Sequence, residues 1–117
     1  MELNTNQMQA GREMDALVAE KVFGNHVEWV NFNGDNYPFW VGLKLPGTPI
    51  ILPDGREAHD IRRYSTDITD AWKVLEATDR FYSLTKKSDG WLAAANGYHG
   101  FGETAPLAIC LLALDIL

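Results

Sequence analysis

The chain has 117 residues, the length of one domain, and can bury a core without a disulfide or metal staple. Hydrophobic residues make up 46% and charged residues 22%, which excludes a disordered or collagen-like polymer. Sixteen acidic residues against ten basic give a net charge of −6, so the dense positive charge that holds duplex DNA non-specifically is missing. A single cysteine, Cys110, cannot form an internal disulfide; within the apolar run Leu107–Leu114 it is expected to be a small buried hydrophobe. The polar first ten residues carry no apolar signal core, and no run nears the roughly 18 apolar residues that span a bilayer. A cytoplasmic protein with no membrane partner is the expectation.

A first helix is predicted from about Gln7 to Phe23, with Met14, Leu17, Val18 and Val22 near helical spacing and Gly24-Asn25 as its stop signal. Two strands, His26–Asn33 and Pro38–Leu45, are expected to form a hairpin around Asn33-Gly34-Asp35-Asn36. Alternation there puts Phe39 and Trp40 on opposite faces. The turn-rich residues 46–63 predict a long loop. Ser65 or Thr66 is expected to cap a second helix whose apolar line is Ile68, Ala71, Trp72 and Leu75, with Trp72 in the core and Asp67 in the first turn.

Arg80–Lys86 and Trp91–Ala95 predict a second hairpin, turned at Lys87-Ser88-Asp89-Gly90. The stretch Asn96–Glu103, with Gly97, Gly100 and Gly102, is expected to be a loop. Thr104 would cap a last helix with Pro106 in its first turn. The expected fold is α+β, in the order α-ββ-α-ββ-α, with a mainly antiparallel four-stranded sheet. The last helix is apolar around its circumference to Leu114 and continues to Ile116 and Leu117. So small a domain is expected to leave one face of that helix open, which predicts a homo-oligomer, most simply a dimer.

Three blocks in order resemble the phage ABA sandwich domain proteins of phages and prophages. They are Met14–Gly24, Tyr64–Leu75 and Thr104–Leu114, and together they span nearly the whole chain. The resemblance implies an α/β/α sandwich. It brings no established enzymatic chemistry. Phages encode small binding proteins that sequester host immune nucleotides, so the resemblance implies a nucleotide-derived ligand as context. The aromatic and proline-rich segment Phe32–Pro53 departs from the family pattern.

The residues themselves carry no catalytic constellation. His26, His59 and His99 are far apart, and Asp54, Glu57, His59 and Asp60 fit a solvated loop better than a closed metal site. No serine stands in a Gly-x-Ser-x-Gly setting, and Asp67 with Asp70 fits a solvated helix start. No cofactor, metal site or enzyme activity is expected. Anion binding has two candidate places. Arg62, Arg63, Tyr64, Ser65 and Thr66 join a basic pair to a helix start; Gly100 and Thr104 belong to a glycine-rich approach to another. Tyr37, Trp40, Tyr98 and Phe101 lie in or beside predicted loops, where they would stack on a base. The expected function is a non-catalytic binding protein for a small nucleotide-derived signal. A protein–protein interaction module is the alternative.

Overall fold

The computed structural model describes residues 9–42, 46–78 and 82–116. Gln7, Met8, Leu43–Leu45, Arg80, Phe81 and Leu117, which enter the expectations above, lie outside those residues. Helix α1 spans Arg12–Lys21. Its N-terminal neighbour Gly11 has φ 141°, a value that favours glycine. Gly24, at φ 67°, ends the helical run, and the Asn25 amide reaches back to the Ala19 carbonyl. Strands β1 (Val27–Phe32) and β2 (Asp35–Val41) form the expected hairpin. Its loop is tighter than expected. Asn33 and Gly34 both take positive φ, 56° and 86°, the pattern of a two-residue turn that matches strand twist.

The expected long loop contains a second hairpin, β3 (Ile50–Ile51) and β4 (Glu57–Asp60), which completes an antiparallel sheet in the order β1-β2-β4-β3. Short strands between prolines carry little periodic signal, which is why turn residues dominated the reading of this segment. Helix α2 spans Ile68–Thr78. Its buried line is Ala71, Val74 and Leu75 rather than the line through Ile68 and Trp72. The core-facing stripe is rotated towards Val74, so Trp72 is 41% exposed and rests against Tyr82, with ring centroids 6.3 Å apart.

Strands β5 (Ser83–Lys87), β6 (Gly90–Ala95) and β7 (Tyr98–Gly102) form a separate three-stranded antiparallel sheet. The expected glycine loop is therefore strand β7, entered by a turn at Asn96-Gly97 with φ 47° and 88°. The domain is α+β with antiparallel sheets, in the order α-ββ-ββ-α-βββ-α, and not one four-stranded sheet. Helix α3 (Ala105–Ile116) starts at Thr104, whose hydroxyl accepts from the Leu107 amide at 3.4 Å. It packs on β7 and β6 and meets α2 and α1. Gly100 makes the close approach possible: a Cβ there would run into the Ala108 carbonyl and the Leu112 amide.

Every residue from Pro106 to Leu114 is buried within the single chain. The open face from which self-association through α3 was expected is thus closed from inside, because a second sheet and two helices surround α3. Cys110 is buried there, and burial pushes its thiol well above the ordinary range. Phe39 and Trp40 do point to opposite faces, and both are buried. Trp40 joins the main core with Met14, Val18 and α3, whereas Phe39 forms a smaller core with Leu52 and Ala58.

Candidate functional site

The segment between β4 and α2 builds the site. Arg63–Asp67 forms a turn in which the Thr66 and Asp67 amides both donate to the Arg63 carbonyl. The cap of α2 is Asp67, not Ser65 or Thr66: its Oδ1 accepts from the amides of Thr69 at 2.8 Å and Asp70 at 3.3 Å. A carboxylate there complements the helix dipole as well as the free amides, and the Ser65 hydroxyl is held elsewhere by Asp15. The same carboxylate occupies the amides that an anion would have used.

Ser65 has a different task. It is fully buried, and its amide and hydroxyl both donate to Asp15 Oδ1, at 2.7 and 2.6 Å. Its Oγ also accepts from the Gly11 amide at 2.9 Å. This knot ties the start of α1 to the entrance of α2. Asp15 is only 6% exposed. Burial holds its carboxyl above the ordinary value of 3.8, and the two Ser65 bonds oppose that rise. Beside it Tyr64 is buried against Phe23, rings stacked at 5.1 Å, and burial pushes its hydroxyl up to about 12.

Above the knot lies a cleft of about 410 Å³. Arg63 and Thr66 line it from the turn, Arg12 and Asp15 from α1, and Tyr37 and Asp60 from the sheet. Both Arg63 and Thr66 are exposed, and among the described residues the Arg63 guanidinium makes no ion pair. Arg12 lies over the Tyr37 ring, 4.2 Å from its centroid. It also donates to the Asn36 carbonyl at 2.6 Å and pairs with Asp35 at 3.2 Å. The cleft thus offers two guanidinium groups, an aromatic ring and a hydroxyl. The carboxylates of Asp15 and Asp60 keep it from being uniformly positive.

The remaining expected site residues divide sharply. Arg62 is drawn to Asp70 at 3.8 Å rather than into the cleft. Trp40 is 5% exposed and has no face left for a base, because its strand position turns it into the main core. Tyr64, Ser65 and Gly100 are buried as well, the last by its contact with α3. Thr104 is engaged as the α3 cap. Tyr98 lines a different groove, with Tyr82, Leu92 and Asn96, and Phe101 is exposed on β7. Tyr37, expected as a stacking aromatic beside a loop, lines the cleft, whereas Arg12, Asp15 and Asp60 were not expected there. Only Asp15 carried a usable signal: it falls between Met14 and Val18 on the apolar side of α1, where a carboxylate must find a partner. Among the described residues, no group of three or more His, Cys, Asp or Glu side chains is placed to hold a metal ion. No described helix is long and apolar enough to cross a membrane.

The chain belongs to the phage ABA sandwich domain family, whose profile matches residues 16–114. A phage protein from Bacillus cereus ATCC 14579, known from a crystal structure, is similar along its whole length. It shares 28% identity and a TM-score of 0.69, with 100% of each chain covered. No curated protein matches the sequence.

Proposed function

We propose that this protein is a non-catalytic, phage-encoded binding protein that holds a small nucleotide-derived signal in the host cytoplasm and withholds it from a defence effector. The observation that carries this reading is Arg63: an exposed guanidinium with no ion pair among the described residues, on a cleft that also holds Thr66, Arg12 and Tyr37. A guanidinium forks two hydrogen bonds onto a phosphate, and a neighbouring hydroxyl adds a third. Asp60, on the opposite wall, is an acceptor suited to a ribose hydroxyl. Family membership supplies the phage context. Titration calorimetry against cyclic and ADP-ribose-type nucleotides tests the reading, and recovery of intact ligand from the heated complex separates holding from hydrolysis. Absence of binding across that panel would remove it.

A second reading, a module that binds a host or phage protein, is favoured by the exposed Trp72–Tyr82 pair. Exposed aromatics of this kind are enriched at protein interfaces. Pull-down from host lysate with Trp72→Ala as control separates the two readings, since a ligand sponge retains no stoichiometric protein.

A further inference from the structure

A groove of about 660 Å³ lies on the other side of Arg12, between α1 and the first hairpin. Glu13, Ala16, Leu17 and Glu20 line it from α1. Their spacing is i, i+3, i+4, i+7, so they share one helix face. Ala16 is buried and Leu17 half-buried, which makes an apolar floor. The two glutamates stand at its ends, about 10 Å apart along the helix axis. The facing wall is the indole of Trp29, 44% exposed. Alternation along β1 places Trp29 on the same side as Val27, which packs on the main core, and Val30 on the side of the smaller core.

Among the described residues, the charges facing the groove are Arg12, Glu13, Glu20 and Asp35. Arg12 and Asp35 pair with each other. Glu13 and Glu20 make no ion pair among the described residues. The groove is therefore apolar in the middle, has an open aromatic face, and keeps an uncompensated negative charge at each end. Its complement is a thin alkyl chain with a cationic group at either end. An ammonium is drawn to a carboxylate and to the face of an indole, and methylenes pack on alanine and leucine. A nucleotide phosphate, by contrast, is repelled here.

We propose that this groove binds an extended aliphatic diamine or polyamine, with Glu13 and Glu20 receiving its two ends and Trp29 covering the chain between them. This site is separate in chemistry from the Arg63 cleft and does not depend on what that cleft holds. Titration of the full chain with spermidine at low ionic strength, followed by calorimetry and tryptophan fluorescence, tests it. Saturable binding is expected. The double variant Glu13→Gln/Glu20→Gln is expected to weaken it about tenfold, as two partly exposed charge contacts would. Removing the same charge elsewhere, with Glu76→Gln/Glu103→Gln, is expected to leave it unchanged. Trp29→Phe should abolish the fluorescence response. A diamine with an eight-carbon chain should bind, and one with a three-carbon chain, too short to reach both ends, should not. Three results would overturn the proposal: no binding, equal weakening by both double variants, or affinity that ignores chain length. Retention of a basic peptide but not of spermidine would overturn it too, by assigning the groove to a protein partner.

Discussion

The two sheets are stabilised in different ways. The three-stranded sheet lies against α3, whose residues Pro106–Leu114 are all buried, and two glycines of β7 let backbone approach backbone. The four-stranded sheet has a small core of its own, Phe39, Leu52 and Ala58, flanked by half-buried aliphatics. On its surface the Arg56 guanidinium bridges Glu28 and Asp54, both at 2.7 Å; it holds the Glu28 carboxyl below its ordinary range, and the Arg56 amide, donating to Asp54 at 3.0 Å, does the same for Asp54 with the guanidinium's help. One region depends on extensive close packing, the other on tight turns and a small core, with ion pairs only on its exposed surface. The Arg63 cleft opens between α1, the four-stranded sheet and the turn before α2, over the Asp15–Ser65 knot. Both α1 and α2 pack on α3, while the cleft walls stay polar and accessible.

The largest effect that would break this contrast concerns α3. Leu112→Asp puts an unpaired charge into a fully buried position, and removing one partner of a buried pair already costs about 3–5 kcal/mol. The variant is expected to unfold. A soluble, folded variant of reduced mass in light scattering would instead show that α3 is an interface. A smaller effect is expected at the seam. Ser65→Ala leaves the Asp15 carboxylate and the Gly11 amide without their hydroxyl partner and should cost about 1–3 kcal/mol in urea unfolding.

Asp15 also gives the seam a pH signature. Its carboxyl binds a proton more tightly in the folded chain than in the unfolded one. As pH falls through the raised folded value towards 3.8, this group therefore adds stability; above that window the cost of the buried charge is fully present. Asp15→Asn, which keeps an acceptor for Ser65, should remove that increment, seen as a flatter stability profile in acid. The smallest effect belongs to the surface of the four-stranded sheet. Arg56→Ala is expected to leave the unfolding midpoint unchanged within error at physiological salt, because exposed pairs are screened. A clear loss there would mean the ion cluster, not the small core, holds that sheet.

Much of this contrast was legible in the residues. Helix α3, its Thr104 cap and the Gly24 stop follow from periodicity and capping, which act locally. Alternation at Phe39-Trp40 gave the right faces, but which face had a core depended on β3 and β4, whose two and four residues are too short to show a period. β7 was hidden by its glycines, which signal a loop in isolation and close packing only once α3 lies on them. At the site, Arg63 and Thr66 were readable as an exposed basic turn. Tyr37 was readable as a stacking aromatic, but Arg12 and Asp60 were not, since distant segments bring them to the cleft. Ser65 misled because a hydroxyl before a helix looks the same whether it caps that helix or reaches a carboxylate 50 residues away.

The cleft itself is tested most directly by comparing the wild-type chain with Arg63→Glu in calorimetric titration against the tightest-binding nucleotide of the panel. Arg63 is exposed and outside the knot, so the melting temperature should stay within a few degrees. Losing a charge-assisted contact of about 1.5–3 kcal/mol, and placing a like charge beside the phosphate, predicts an affinity at least tenfold weaker. Unchanged affinity in a folded Arg63→Glu protein would contradict the assignment of this cleft as the ligand site.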